Sequence, residues 1–337
     1  MPQFGAGIVP QAGSIANELS FVTRRAFLER VIIQIYVASP LICALIQSAQ
    51  MASGGLSPIT APLQGNPMVT GQWVGYDGSF NQPGVTPGLQ NAEFNLAAFT
   101  TAIPFLGFEG LVQMDYAVVP IIDARMNDAT NVTIDGFANA LYNNVANQQQ
   151  IVGLPAAVDD GTFAAGYGGI TRATNPWWKS TFVNNSAPTT PTRNLLMQYI
   201  AQVTKKNGEM PKMGVMGIGT WTLLTQDFMG LERYVISPGD AFSDIAGGAK
   251  AGFQACMVGG VPIYADPKCP EGTLYLLNTD YLSLYIHEKA GFQFTGFEST
   301  LPNGQFGYIG AILTLLQLVQ VKAQAHGKFT NLNFLNI

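Results

Sequence analysis

Two histidines, three cysteines and a few neighbouring carboxylates are the groups in this 337-residue chain that could act on a substrate or hold a metal. His287 stands in "LYIHEK" beside Glu288, and His326 is the other imidazole; neither has a second ligand at the short spacing a metal centre needs. An imidazole at a strand end, next to a carboxylate, reads as a surface residue rather than a general base. Cys43, Cys256 and Cys269 are odd in number and show no paired spacing, so they form no disulfide framework and suit a reducing compartment. Asp159–Asp160, and the pair Asp115 and Asp123, are the carboxylates a soluble hydrolase could use as acid and base. A turn accounts for the first pair and a solvated strand face for the second. No Ser or Cys lies in a GxSxG elbow. The stretches "GYGG" and "GVMGIG" lack the GxGxxG spacing and its later acidic partner. The residues point to no catalytic group, metal or cofactor.

One stretch remains, "GYGGITRATNPWWKS" at 166–180, where half of the 4 tryptophans stand together. Trp177 and Trp178 could stack single-stranded bases, with Arg172 and Lys179 on phosphates. Against this stand a net charge of -5 and the lack of a surrounding basic groove. A packed joint fits better, one ring turned inward and one across a contact, because Trp and Arg are enriched at interface hot spots.

The elements that must position these residues follow from periodicity. Residues 14–39 read as helix and carry Arg24, Arg25 and Arg30. The apolar run "VIIQIYVASPLICALIQ" (31–47) is marginal for a membrane span and holds Gln34, Ser39 and Pro40 at its centre, so a buried helix followed by a break is expected. Residues 51–92 are rich in Gly and Pro yet hold Trp73, Tyr76 and Phe80, which suits a long two-stranded excursion that must lie on something. Residues 111–122 alternate like a half-buried strand. Ile134, Phe137, Ala138, Leu141, Tyr142 and Val145 then form a helical stripe, with Thr133 as its cap. A second helix starts at Thr190–Pro191 and stops at Asn207–Gly208. The stretches 260–266, 273–279, 282–288 and 308–321 read as strands. This mixture is α+β.

Charged residues are only 11% of the chain, against about 25% in ordinary soluble domains. Interface cores are depleted in charge, so much of this surface is expected to be covered by further copies of the chain. The N-terminal "MPQFGAGIVPQAG" lacks the basic region of a signal peptide, and the "NVT" and "NNS" sequons read as chance.

The order of these features resembles the major capsid proteins of tailed bacteriophages, which share the Hong Kong 97-type fold. "FVTRRAFLERVIIQIYVASPLICALIQSAQMASGGLSPITAPLQG" looks like an N-terminal arm entering an extended loop, and "QWVGYDGSFNQP" looks like the loop's strands. "GFANALYNNVANQQQIVGL" is similar to the spine helix, "YGGITRATNPWWKS" to a Gly-Ile-x-Arg-Ser/Thr-x-x-x-Trp stretch of such proteins, and "GGVPIYADPKCPEGTLYLLNTDYLSLYI" to the end of the axial domain. The resemblance implies an N-terminal arm (1–50), an extended β-hairpin loop (51–95), a peripheral domain (96–189) with a spine helix at about 133–150, an axial domain (190–285) and a return to the peripheral domain (286–337). It implies a subunit, not an enzyme, that assembles as hexamers and pentamers into an icosahedral shell around double-stranded DNA. That DNA would be held without sequence specificity. The shell would be made in the bacterial cytoplasm and reside in the virion, with portal, scaffolding and cement proteins as partners, and no membrane. The candidate inter-subunit contacts are Trp73, Tyr76, Phe80, Arg172, Trp177 and Trp178, and the candidate DNA-facing residues are Arg24, Arg25 and Arg30, whose alternative is a salt bridge to Glu18 or Glu29. The alternative of the same fold is an encapsulin-like nanocompartment. Some members of the family join a loop lysine covalently to a neighbour's asparagine. Residues 31–124 contain no Lys or Arg and the first lysine is Lys179, so no such cross-link is expected here.

Overall fold

The computed structural model describes residues 39–52, 58–68, 71, 73–74, 76, 78, 88–106, 118–143, 150–229, 255–300 and 306–336, and for 118–124 the backbone alone. Arg24, Arg25, Arg30, Phe80, Asp115 and Val145 lie outside the described residues, as does nearly all of the expected helix at 14–39.

Ser39 is extended (φ -153°, ψ 133°), and Pro40 takes the first position of helix α1, Pro40–Gln47. The residue before a proline avoids helical angles while proline suits a first turn. The expected break is therefore also where a new helix begins. Helix α2, Val118–Tyr142, has 25 residues and spans roughly 38 Å. It starts at Val118, not near residue 133, so residues 118–122 are helix and not strand. The stretch "VVPII" is apolar throughout and carries no period of its own, and Pro120 is tolerated in a first turn. Thr133 is an interior residue, not a cap: Thr130 and Thr133 donate their hydroxyls to the Met126 and Ala129 carbonyls, each at 2.7 Å. The expected apolar stripe holds, with Ile134, Phe137, Ala138, Leu141 and Tyr142 buried. Asn139 and Asn143 on the other face are exposed.

The first sheet is built on β14, Gly307–Gln320. Antiparallel β12 (Leu282–His287) and β13 (Gln293–Ser299) follow one another along one edge, and β4 (Ala97–Leu106) runs antiparallel along the other. Strand β1, Gln50–Ala52, adds in parallel to β12. α1, α2 and this sheet share the larger apolar core.

The second sheet has the order β7-β15-β11-β8-β10-β9. Its strands are β7 (Thr181–Thr189), β8 (Met213–Met216), β9 (Ala255–Val258), β10 (Val261–Ala265), β11 (Leu274–Leu277) and β15 (Gly327–Leu332). Between β12 and β15 the chain belongs to the first sheet, yet β15 itself lies in the second. The chain thus enters the first sheet at Leu282, and Gly327–Leu332 pairs within the second. After the short helix α3, Leu154–Ala157, helix α4, Arg193–Asn207, covers this second sheet. Its cap is Thr192 rather than Thr190, with Oγ1 accepting the Leu195 N–H at 3.3 Å, so Pro191 precedes the cap. Gly208 ends the helix at φ +83°, as the Asn-Gly pair suggested. Leu196, Tyr199, Ile200 and Val203 are buried, each worth about 1.5–3 kcal/mol, and the Tyr199 ring stacks on Phe329 at 4.0 Å. Helix α5, Ile218–Met229, completes the layer. Among the described residues no helix is long and apolar enough to cross a membrane.

Asp266, fully buried at the end of β10, links the two halves. Its Oδ2 accepts the Tyr142 hydroxyl of α2 at 2.9 Å and the Ser39 hydroxyl before α1, and its Oδ1 accepts the Lys268 N–H at 2.9 Å. Burial, with Cys269 and Asp266 adding to it, raises the Tyr142 pKa well above its usual value.

His326 is fully buried, and its Nδ1 accepts the Asn278 N–H at 3.2 Å. Burial lowers its pKa to about 3. The unfolded imidazole titrates near 6.5, at about the ordinary value. Between those values the unfolded chain binds the proton and the folded one does not, so this contribution to stability is present above pH ~6.5 and is lost as pH falls toward 3. Wild type should lose up to about 1.4 kcal/mol per pH unit more than His326→Gln across that window. Urea titrations from pH 7 to pH 4 measure it; equal slopes would refute it.

Candidate functional site: the Arg172 knot and the hairpin it holds

Arg172 is fully buried and spends its donors inside its own chain. Nε donates to the Trp178 carbonyl at 3.2 Å, Nη1 to Ala164 at 3.0 Å, and Nη2 to Ala156 and Ala157 at 2.8 Å each. Asp159 Oδ2 stands 3.7 Å away and accepts the N–H groups of Gly161, Phe163 and Ala164 at 2.9–3.0 Å. Burial lowers the guanidinium pKa, and Asp159 opposes that shift. The planar fork of Arg serves several carbonyls at once, which a lysine cannot do. Asp160 Oδ1 accepts the Thr162 N–H at 2.9 Å, so the Asp159–Asp160 pair builds a turn, as expected.

Around this knot the aromatic rings form a ladder. The Arg172 guanidinium lies 5.9 Å from the Tyr167 ring centre. Tyr167 meets Trp178 at 6.3 Å and Phe94 at 5.1 Å, and Trp178 meets Trp177 at 5.5 Å. Trp178 is 1% exposed and its Nε1 donates to the Tyr167 carbonyl at 2.9 Å. Pro176 opens the one-turn 3₁₀ helix Pro176–Trp178 that points the two indoles in different directions.

The ladder grips the antiparallel hairpin of β2, Ile59–Gln64, and β3, Leu89–Phe94. Between its rungs sit β5 (Gly166–Tyr167) and β6 (Ile170–Thr171), whose turn at Gly168 presents a carbonyl to the Glu93 N–H at 3.0 Å. Gly168 has φ +60°, and a Cβ there would lie 2.7 Å from the Phe94 ring. A Cβ on Gly65 would lie 2.0 Å from Trp177 Cε2, so the indole rests directly on the hairpin backbone. Beyond the grip, Trp73 and Tyr76 are fully exposed.

These positions change two of the sequence expectations. Arg172 and Trp178 do not reach a neighbouring subunit, because both are buried in their own; Trp178 is equally closed to nucleic-acid bases. Within the chain, Trp177 clamps the hairpin and Trp178 anchors the clamp. The sequence marks Asp159 only as a turn residue of the Asp-Asp-Gly run; its role as counter-charge to Arg172 comes from the tertiary structure alone. Asp123 lies in α2, and its expected partner Asp115 lies outside the described residues. His287 is part-exposed at the end of β12, and its Nδ1 accepts the Lys289 N–H at 3.2 Å.

No family model matches the chain, and no curated protein matches it in sequence. Solved structures do match. The capsid asymmetric unit of cyanophage A-1(L) is 16% identical and aligns over 88% of this chain and 93% of its own, with a TM-score of 0.66. The capsid of the native GTA particle is 11% identical over 86% and 90% of the two chains, with a TM-score of 0.54. That of the empty GTA particle is 9% identical over the same shares, with a TM-score of 0.56. At these identities the likeness is one of fold, and the fold of this chain is the Hong Kong 97-type fold of tailed-phage capsid subunits.

Proposed function

We propose that the chain is the major capsid subunit of a tailed bacteriophage, assembling as hexamers and pentamers into an icosahedral shell that encloses double-stranded DNA. The observation that carries this reading is the end-to-end likeness to the cyanophage capsid subunit, over 88% of this chain and 93% of that one. The fully exposed Trp73 and Tyr76, between β2 and β3 in sequence, support it, since exposed aromatic side chains call for a partner surface. In this reading the hairpin and its tip are the extended loop, α2 is the spine helix, the first sheet is the peripheral domain and the second the axial domain. Phe80 and Trp177 complete the loop's contacts, and Arg24, Arg25 and Arg30 face the DNA without reading sequence. Portal, scaffolding and cement proteins are its further partners, the virion its place, and no reaction is assigned to it.

The test is electron microscopy of the purified protein together with its nucleic-acid content. Closed shells holding DNA are expected; a monomer, or shells holding a cargo enzyme, would overturn the reading. With charged residues at 11%, the lattice should survive a rise from low to high salt, because screening acts mainly on charges. Dissociation to monomers at high salt would contradict this. A denaturing gel of reduced, mature particles should give a single band near 36.0 kDa, as the loop has no lysine to cross-link. A ladder of covalent oligomers would refute that.

A further inference from the structure

Positive charge is gathered at one end of the described structure. The chain has nine lysines, and five of them, Lys179, Lys205, Lys206, Lys212 and Lys322, surround the C-terminal end of α4. They come from separate segments, so no basic run in the sequence announces them. Lys206 Nζ donates to the Ser180 carbonyl at 2.8 Å, which sets the last turn of α4 against Lys179. Burial lowers the Lys206 pKa; Asp160 opposes that shift and Lys179 adds to it, so these three charges are neighbours. The one-turn 3₁₀ helix Ala323–Ala325, directly after Lys322, packs on both α4 and Pro176–Trp178. Lys322 Nζ lies 3.7 Å from Glu209 and 4.7 Å from the Tyr281 ring centre, and Lys212 Nζ lies 2.7 Å from Asp280 Oδ2.

Three carboxylates, Asp160, Glu209 and Asp280, are tied to these five ammonium groups, so the patch is positive within a chain of net charge -5. The first sheet and α2 have the opposite balance: Asp128, Asp135, Glu288 and Glu298 stand against Arg125 and Lys289. The negative end of a helix accounts for Lys205 and Lys206. It does not account for Lys179, Lys212 and Lys322, which lie outside α4. Lysines are compact point charges, suited to phosphate oxygens and unable to read base edges by a bidentate fork.

We infer that this patch is a contact of the subunit with the phosphate backbone of double-stranded DNA, separate from Arg24, Arg25 and Arg30. The inference rests on the capsid reading, which supplies DNA as the polyanion beside the subunit. Trp178 is buried and takes no part, so contact is with phosphates and blind to sequence.

The experiment uses the full-length protein, diluted until light scattering shows no shells, and two labelled DNA duplexes of unrelated sequence. Fluorescence anisotropy should show equal binding of both, weakening as salt rises. Lys179→Glu and Lys205→Glu should each weaken binding about tenfold and lower the salt slope by about one. Lys289→Glu makes the same change of net charge on the first sheet and should leave binding as it was. Circular dichroism checks folding; Lys179→Gln replaces Lys179→Glu if a second acid beside Asp160 unfolds the chain. Absence of duplex binding, patch variants that bind like the parent, or an equal loss on Lys289→Glu would overturn the inference. So would tighter binding of a labelled polyglutamate chain, since the patch would then suit an acidic protein. Binding is read on the unassembled subunit and DNA-filled shells by microscopy, so either can fail without the other.

Discussion

Arg172→Ala should cost the subunit about 3–5 kcal/mol, against a total stability of about 5–15 kcal/mol for a domain. Little folded protein is then expected. The cause is what stays behind. Asp159, fully buried, loses its counter-charge, and the carbonyls of Ala156, Ala157, Ala164 and Trp178 lose their donor at once. Arg172→Lys keeps a charge but offers a single point with three donors, so it should recover only part of the loss. A sharper sign comes from removing both charges. Arg172→Met with Asp159→Asn should be more stable than Arg172→Met alone, since no lone charge remains buried. Urea unfolding of soluble protein measures all three. If Arg172→Ala unfolds at the parental urea concentration, the guanidinium is not the organising group of this region.

Trp178→Ala should cost about 3–5 kcal/mol as well, the usual loss for a buried aromatic side chain cut back to alanine. Its indole is 1% exposed, packs against Tyr167 and Trp177, and its N–H has a carbonyl partner in Tyr167. Trp177→Ala is the contrast. Trp177 is part-exposed and lies on Gly65, so its loss should loosen the hairpin while the body stays folded. Limited proteolysis should then cut Trp177→Ala within 58–95 at a urea midpoint near that of the parent. Trp178→Ala should unfold globally. Equal midpoints for the two variants would mean that the rings are not divided into an anchor and a clamp.

The local periods of the chain were legible in its sequence. The stripe from Ile134 to Tyr142, the Asn-Gly stop of α4 and the long apolar strand β14 all depend on neighbours a few residues apart, and each stands where those neighbours place it. The low charge pointed to covered surface, and the order of elements pointed to the capsid-type fold, now matched by solved capsid subunits. The beginning of α2 was not legible. An all-apolar "VVPII" fits a strand or a buried helix equally, and no period within it tells the two apart; in the structure it is the first stretch of α2.

The site divides in the same way. From sequence alone, Trp177, Trp178 and Arg172 read as a packed joint with one ring across a contact, because Trp and Arg are enriched at interface hot spots. Only the tertiary structure decided that the joint is internal. Whether Arg172 points at a neighbour or at four carbonyls of its own chain depends on where residues 156–164 fold back, and no local period encodes that. Likewise, the return of Gly327–Leu332 to lie between β7 and β11 is a pairing between distant strands, set by how two sheets share one chain rather than by the residues of β15 themselves.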